Sequence, residues 1–180
     1  MKDIIHLKWL SDLAGTDARR IVELVQCTAG EGALGYAGHM SNDEAGTFVT
    51  ELRYRLSSGA LALVGEADGN LVFFCMMTRN AMPNCRHRAE LTKGVVHPEY
   101  RGQNIIPRAF REIVLKAEAL GIQQLILDVR EGSRAHRLWQ RFGFKSYGVL
   151  DDYARVGDEA YRGHFLAQTV GALRKQVFPG

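Results

Sequence analysis

The sequence predicts a mixed α/β fold built as one domain over residues 1–180, and three observations lead to it. Two apolar runs, 60–67 and 71–78, flank Asp68-Gly69-Asn70, residues that tolerate left-handed backbone angles and so close an antiparallel hairpin. An apolar run over 89–97 passes through Pro98 and Arg101-Gly102 into a helical pattern over 104–120, and a second apolar run follows over 122–129. That strand–helix–strand order demands a parallel pair with a right-handed crossover. Finally, 180 residues that are 46% hydrophobic and 24% charged suffice for one buried core, and no repeat or linker divides them.

Ile4 to Leu10 alternates as a first strand. Thr16-Asp17 then reads as the cap of a helix whose apolar positions are Ala18, Ile21, Val22 and Val25, and the glycine-rich stretch from Gly30 to Gly38 ends it. Ser41 and Glu44 have capping-box spacing, ahead of a helix with Phe48, Leu52 and Leu56 on one face. After the hairpin, Asn84 to Arg88 is a polar turn. The helix over 104–120 carries Ile105, Ala109, Ile113, Ala117 and Leu120 inward, and Gly121 stops it. Ser133 to Phe142 is a further helix, stopped by Gly143, and the last strands are 144–149 and 161–170 around a turn at Gly157-Asp158.

Composition excludes several classes. A net charge of +3 with scattered basic residues and no aromatic-interleaved basic patch argues against nucleic acid. Cys27, Cys75 and Cys85 are odd in number and lack metal-ligand spacing; Cys27 in a helix and Cys75 in a strand read as buried structural thiols. The first nine residues lack the apolar core of a secretion signal and no run reaches membrane-spanning length, so a cytoplasmic protein without membrane contact is expected. His6, His39, His87 and His164 are isolated, and no His/Cys/Asp set has the spacing of a metal site.

The stretch Val95-Val96-His97-Pro98-Glu99-Tyr100-Arg101-Gly102-Gln103-Asn104-Ile105-Ile106 carries the functional signal. A strand that ends at Pro and turns through Arg-Gly into a helix leaves the helix's first N–H groups unpaired, and with the helix dipole they make a seat for phosphate. Downstream, Ser133-Arg134-Ala135-His136-Arg137-Leu138-Trp139-Gln140-Arg141-Phe142-Gly143-Phe144 closes on Gly-Phe. Together these segments resemble the acyl-CoA loop and last motif helix of the GNAT acetyltransferase superfamily, and the likeness spans nearly the whole chain. The resemblance implies a mixed central sheet, flanked by helices, whose parallel strands at 89–97 and 122–129 splay apart. It implies pantetheine paired to backbone near Val95 and Val96, pyrophosphate on Arg101, Gly102, Gln103, Asn104, Ile105 and Ile106, and cofactor contacts from Ser133 and Trp139. Gly94 then marks either a bulge or a bend at that strand.

Two positions depart from the family pattern. Small residues are usual where this chain has Asn104 and Ile106; Asn accepts left-handed angles, whereas Ile106 crowds the phosphate seat and Pro107 removes one N–H. A weaker or shifted pyrophosphate site follows, with Arg101, Arg108 or Arg137 assisting. Trp139 stands where the family often has the tyrosine that protonates the leaving thiolate, and a Trp has no titratable proton. Ser133, His136, Tyr147 and Tyr153 are candidates for that role, and Trp139 itself fits as packing against the sheet.

The resemblance also implies Glu90 as the base that takes the acceptor's proton, although a Glu opening a strand is also a solvated end. Tyr153 is the second catalytic candidate. An oxyanion donor is implied near Val95 or Val96. His97 before Pro98 reads as a turn residue. Gly30 to Met40, with Gly30, Gly32, Gly35 and Gly38, is either an acceptor-binding lid or a connector. Asp151-Asp152-Tyr153-Ala154-Arg155 resembles a late loop that closes over the acceptor; its carboxylates either hold an ammonium group or form a solvated turn. The expectation is an acetyl-CoA-dependent N-acetyltransferase acting on a small amine, such as an amino acid, metabolite or antibiotic, without a metal and as a homodimer. Acetylation of a protein amino terminus, another acyl-CoA donor, a non-catalytic acyl-CoA sensor and a CoA-linked lyase are the alternatives.

Overall fold

The computed structural model describes residues 4–30, 33–36 and 38–180. In chain order they form β1 (His6–Leu10), α1 (Gly15–Ala29), α2 (Asn42–Ser57), β2 (Leu61–Ala67), β3 (Asn70–Arg79), β4 (Arg88–Val96), α3 (Ile105–Ala119), β5 (Gln124–Arg130), α4 (Arg134–Arg141), β6 (Lys145–Val156), β7 (Glu159–Thr169) and α5 (Val170–Val177). The sheet has seven strands in the order β1-β2-β3-β4-β5-β7-β6. Its parallel pair is β4 with β5, and the register stops after Arg88↔Gln124, Ala89↔Leu125 and Glu90↔Ile126. The short parallel ladder is what a splayed pair requires.

The chain divides into two compact units, one from the described residues of Met1–Thr78 with Lys93–Ala109, the other from Arg79–Thr92 with Phe110–Gly180. In the first, Phe48, Leu52 and Leu56 of α2 are buried in a core with Ile21, Leu24 and Val25 of α1, Val64 and Phe74 of the hairpin, and Val95 of β4. Ser41 caps α2 as expected: its hydroxyl accepts from Glu44 N–H at 3.2 Å, and the Glu44 carboxylate accepts from Ser41 N–H at 2.7 Å. The hairpin turn has Asp68 at φ 48° and Gly69 at φ 79°, the pair of left-handed angles that a two-residue turn needs. In the second unit Phe110, Ile113, Leu125, Leu127, Phe144 and Leu166 are buried. Phe110 meets Phe142 edge-on at 4.5 Å and Trp139 at 5.2 Å, while Trp139 meets Phe144 at 4.9 Å.

Several expectations are corrected. Helix α1 starts at Gly15 with Ala14 as an N-cap that makes no side-chain bond, so Thr16-Asp17 lies inside the first turn rather than capping it. Cys27 is exposed, because it falls off the stripe of Ile21, Leu24, Val25 and Thr28 that α1 buries. Strand β6 runs on to Val156, so Asp151–Arg155 is not a loop: Ala154 and Arg155 pair with β7, and Asp151, Asp152 and Tyr153 form the irregularity between Leu150 and Ala154. Strand β7 gives way at Val170 to a helix that the sequence reading left out, in which Val170, Leu173 and Val177 are buried and Thr169 caps Ala172 N–H. Glu31, Gly32 and Ala37, on which the lid reading of Gly30–Met40 partly rests, lie outside the described residues.

Candidate active site

In the first unit, the strand–turn–helix segment adopts the geometry its residues favour. His97 Nδ1 accepts from Glu99 N–H at 3.3 Å and its ring meets Tyr100 edge-on, so His97 braces the turn as expected. Gly102 has φ 78° and Asn104 φ 61°, two left-handed residues directly ahead of α3. Alternating handedness of this kind points successive N–H groups to one side, a concavity suited to anions. Arg101, at φ −65° and ψ 147°, and Gly102 form a turn that directs the Gln103 N–H back onto the preceding chain, and among the described residues the N–H groups of Asn104, Ile105 and Ile106 find no backbone acceptor. Pro107 is the third residue of α3, where its missing N–H breaks no intrahelical bond. Ile105 is buried and Ile106 half-buried. Arg108 donates to the Ile5 carbonyl at 2.5 Å, so at least one of its N–H groups is committed to the fold.

Of the two readings of Gly94, a bulge or a bend, the strand shows a bulge, and its left-handed residue is the preceding Lys93. Lys93 has φ 58°, whereas Gly94 is exposed, with nothing within 4 Å of where a Cβ would stand. The ladder between β3 and β4 slips by one residue between its two ends, Asn80 N–H to Arg88 O and His97 N–H to Val72 O, as one extra residue in β4 requires. Lys93 is held there by its side chain: the ammonium lies 3.4 Å from Glu51 and 5.2 Å from the centre of the Phe48 ring. Tyr36 packs edge-on against Phe48, and burial, then Glu51 and Glu44, push its phenol above the ordinary range. The sequence reading singled out none of Lys93, Glu51 or Tyr36.

In the second unit, register sorts the side chains by face. Leu125, Leu127 and Val129 of β5 are buried on one face, so Ile126, Asp128 and Arg130 lie on the other. Directly paired residues share a side, which adds Glu90 through Ile126, Phe165 through Asp128 and Gly163 through Arg130. Glu90 is half-buried and makes no hydrogen bond or ion pair among the described residues, leaving its carboxylate available as a base. Tyr153 joins this face across the β6 irregularity. Its hydroxyl donates to Asp128 Oδ2, its ring meets Phe165 edge-on, and it lies over Gly163 so closely that a Cβ there would sit 2.1 Å from the Tyr153 ring. Burial and then the Asp128 bond push the Tyr153 phenol well above its ordinary range. It therefore stays protonated near neutrality and is a reluctant proton donor to a thiolate, whose conjugate acid has a pKa of about 8.5.

The remaining candidates have structural partners. Ser133 caps α4, its hydroxyl accepting from His136 N–H at 3.0 Å. His136 is buried, accepts from Gly132 N–H through Nδ1 at 3.1 Å, and stacks on His164 at 4.6 Å. His164 in turn contacts Glu131 at 2.9 Å and Ser146 at 3.0 Å. Arg137 donates to Gly132 O at 2.6 Å. Asp152 is taken by Arg155 at 2.9 Å and Asp151 by Arg162 at 3.0 Å, so both carboxylates of that segment are already charge-paired. Trp139 sits in the aromatic cluster with Phe110 and Phe144, the packing role expected of its ring. Among the described residues no group of His, Cys, Asp and Glu has the arrangement to hold a metal, and no helix is long and apolar enough to cross a membrane.

A mixed sheet with one short parallel pair, a bulged fourth strand and an anion-suited turn into the following helix defines the class: a mixed α/β protein whose fourth strand leads into a phosphate-suited turn. The chain belongs to the Acetyltransferase (GNAT) family, whose model matches residues 30–144, more than half of its length. It is similar to a protein of Bacillus subtilis (strain 168) described as a candidate ribosomal protein bS18-alanine N-acetyltransferase, with 30% identity over 92 residues, 51% of this chain. That match spans 58% of the relative's own length. Among solved structures, an N-acetyltransferase from Staphylococcus aureus Mu50 superposes with a TM-score of 0.73 at 17% identity, covering 93% of this chain and 99% of the other. An acetyltransferase structure from Salmonella typhimurium with its cofactor acetyl-CoA superposes with a TM-score of 0.68 at 13% identity, covering 92% and 94%. At these identities the likeness establishes the shared fold.

Proposed function

We propose that this protein, acting through residues 1–180 as one domain, is an acetyl-CoA-dependent N-acetyltransferase whose acceptor is the primary amine of a small molecule. The observation that carries the donor half is the left-handed pair Gly102 and Asn104 ahead of α3, with the N–H groups of Asn104, Ile105 and Ile106 free of backbone acceptors among the described residues. A pyrophosphate supplies the charge those groups lack. Lys93 in left-handed geometry breaks the β4 ladder one residue from Gly94 and two from Val95, which supports backbone recognition of pantetheine by this strand. In the reaction, Glu90 takes a proton from the acceptor ammonium, directly or through water. The freed amine nitrogen attacks the thioester carbonyl, a C–N bond forms as the C–S bond breaks, the sulfur leaves as the CoA thiolate, and the second proton shed by the nitrogen passes to water or to that thiolate. Trp139 donates no proton to it; a thiolate needs little help to leave near neutrality.

Acetylation of a protein amino terminus is the second reading, favoured by the description of the Bacillus subtilis relative. One assay addresses both: thiol release from acetyl-CoA with a panel of small amines beside a peptide bearing an N-terminal alanine. Binding of acetyl-CoA without thiol release across the whole panel would instead support a non-catalytic acyl-CoA module. For the donor half, CoA at a hundredfold excess over its dissociation constant should add about 2.7 kcal/mol to stability, and an unmoved melting temperature at millimolar CoA rejects the claim. Glu90→Gln should slow turnover with acetyl-CoA affinity unchanged; full activity in that variant removes Glu90 from the reaction.

A further inference from the structure

The face of the second unit that carries Glu90 holds a second carboxylate, and the fold has built a support for it. We infer that Asp128 is the anchor for the acceptor's ammonium group, that Tyr153 is its positioning residue, and that Gly163 exists to let Tyr153 lie where it does. The inference rests on the proposed acetyl transfer and deepens it by naming the acceptor class: a primary ammonium carried on an apolar or aromatic body.

Asp128 interrupts the apolar run of β5 on the face opposite the buried Leu125, Leu127 and Val129. A lone carboxylate there has no ion-pair partner among the described residues. Its Oδ2 accepts from the Tyr153 hydroxyl, which leaves Oδ1 available and fixes the plane of the carboxylate. The support is specific. Tyr153 stands in the irregular stretch of β6 between Leu150 and Ala154, which turns the side chain across β7 onto Gly163. Any side chain at 163 would occupy the space of the Tyr153 ring, so the glycine is required by a close approach and not by backbone angles.

The surroundings select what the carboxylate binds. Phe165, paired with Asp128, and Tyr147, whose ring centre is 6.4 Å from that of Phe165, add aromatic surface on the same side. Tyr147 is 63% exposed, an aromatic ring with ample contact area left over. Arg130, next along the face, is turned onto the Tyr161 ring at 4.7 Å, so its charge is stacked beside the carboxylate without being paired to it. An ammonium next to aromatic faces gains both a charge-assisted hydrogen bond and cation–π attraction. Strand geometry sets Glu90 and Asp128 roughly 8 Å apart at Cα, so side chains of their length reach one nitrogen from two sides. Asp128 then holds the ammonium while Glu90 removes its proton, a division of labour in which only Glu90 changes protonation.

The test is steady-state kinetics with benzylamine, alanine and a peptide with an N-terminal alanine, on the full chain. Asp128→Asn should raise KM for the accepted amines at least tenfold, change kcat less than threefold and leave acetyl-CoA affinity unchanged. Tyr153→Phe and Gly163→Ala should each raise the same KM by a smaller, similar factor, and the double variant should be no worse than either single one. A KM unchanged in Asp128→Asn overturns the inference, as does a fall in kcat at constant KM, which would make Asp128 a base. Should Gly163→Ala misfold, Tyr153→Phe alone carries the positioning claim. If the wild type acetylates none of these amines, the proposed transfer fails, and titration of benzylammonium followed by NMR still tests the anchor. Binding at least tenfold weaker in Asp128→Asn supports it, and equal or undetectable binding in both proteins overturns it.

Discussion

Replacing Lys93 separates backbone strain from side-chain contact at the bulge of β4. A non-glycine residue at φ 58° costs roughly 1–2 kcal/mol against its relaxed conformation. Alanine at this position keeps that cost and loses both contacts of the ammonium. The 3.4 Å pair with the half-exposed Glu51 contributes roughly 0.2–1 kcal/mol, and the Phe48 contact roughly 0.5–1 kcal/mol. Lys93→Ala should therefore cost about 1–2 kcal/mol. Glycine loses the same contacts but removes the strain, offset by roughly 0.5–1 kcal/mol of chain entropy. Lys93→Gly should accordingly be more stable than Lys93→Ala by about 0.5–1 kcal/mol, an inversion of the usual order within a strand. Calorimetry or urea unfolding resolves the difference, because one kcal/mol moves the melting temperature of a chain this size by roughly 2–4 °C. Lys93→Met, which loses both contacts of the ammonium but keeps an apolar stem to pack, should fall between the wild type and Lys93→Ala. Alanine equal to or more stable than glycine would refute the left-handed bulge.

Two further outcomes follow from caps and charges. Ser41→Ala should cost about 1 kcal/mol because it opens a reciprocal capping box, whereas Thr16→Ala should be close to neutral because Thr16 caps nothing; equal costs in urea unfolding would contradict the α1 start at Gly15. Burial, then the neighbouring His164 charge, with Arg137 adding to both and Glu131 opposing, holds the His136 imidazole below its usual value of about 6.5. The unfolded chain therefore takes up this proton first as pH falls, so the contribution of His136 is complete above about pH 6.5 and is lost through pH 6 and below. Glu131, lowered chiefly by its hydrogen bond to His164, loses its own contribution only below about pH 4.5. Between pH 7 and 5 the wild type should lose more stability than His136→Asn, which can still accept from Gly132 N–H; parallel profiles would remove His136 from the pH response.

Local chemistry was legible wherever a few neighbouring residues decide the outcome. The Asp68-Gly69 turn, the Ser41–Glu44 box, the stop at Gly143 and the left-handed Asn104 each follow from backbone preferences carried by the residues themselves. The turn ahead of α3 was legible for the same reason. Where strand pairing decides, local preference is not enough: Asp151–Arg155 looks like a charged loop until Ala154 and Arg155 pair with β7 and carry the strand through it, and Lys93 bears no mark of a left-handed residue while Gly94 beside it does. The burial pattern Val170, Leu173, Val177 of α5 was present in the sequence, but it follows directly on a strand and was absorbed into it.

By itself the sequence determined the order of elements up to β7, the hairpin and the anion-suited turn, and through them the family, because the signals that mark these elements lie within a few residues of one another. Only the tertiary structure brought Tyr153 to Asp128, 25 residues distant, and gave Gly163 its reason. A side chain's role on a sheet depends on which strand lies beside it and in which register, and a one-residue shift sends it to the other face.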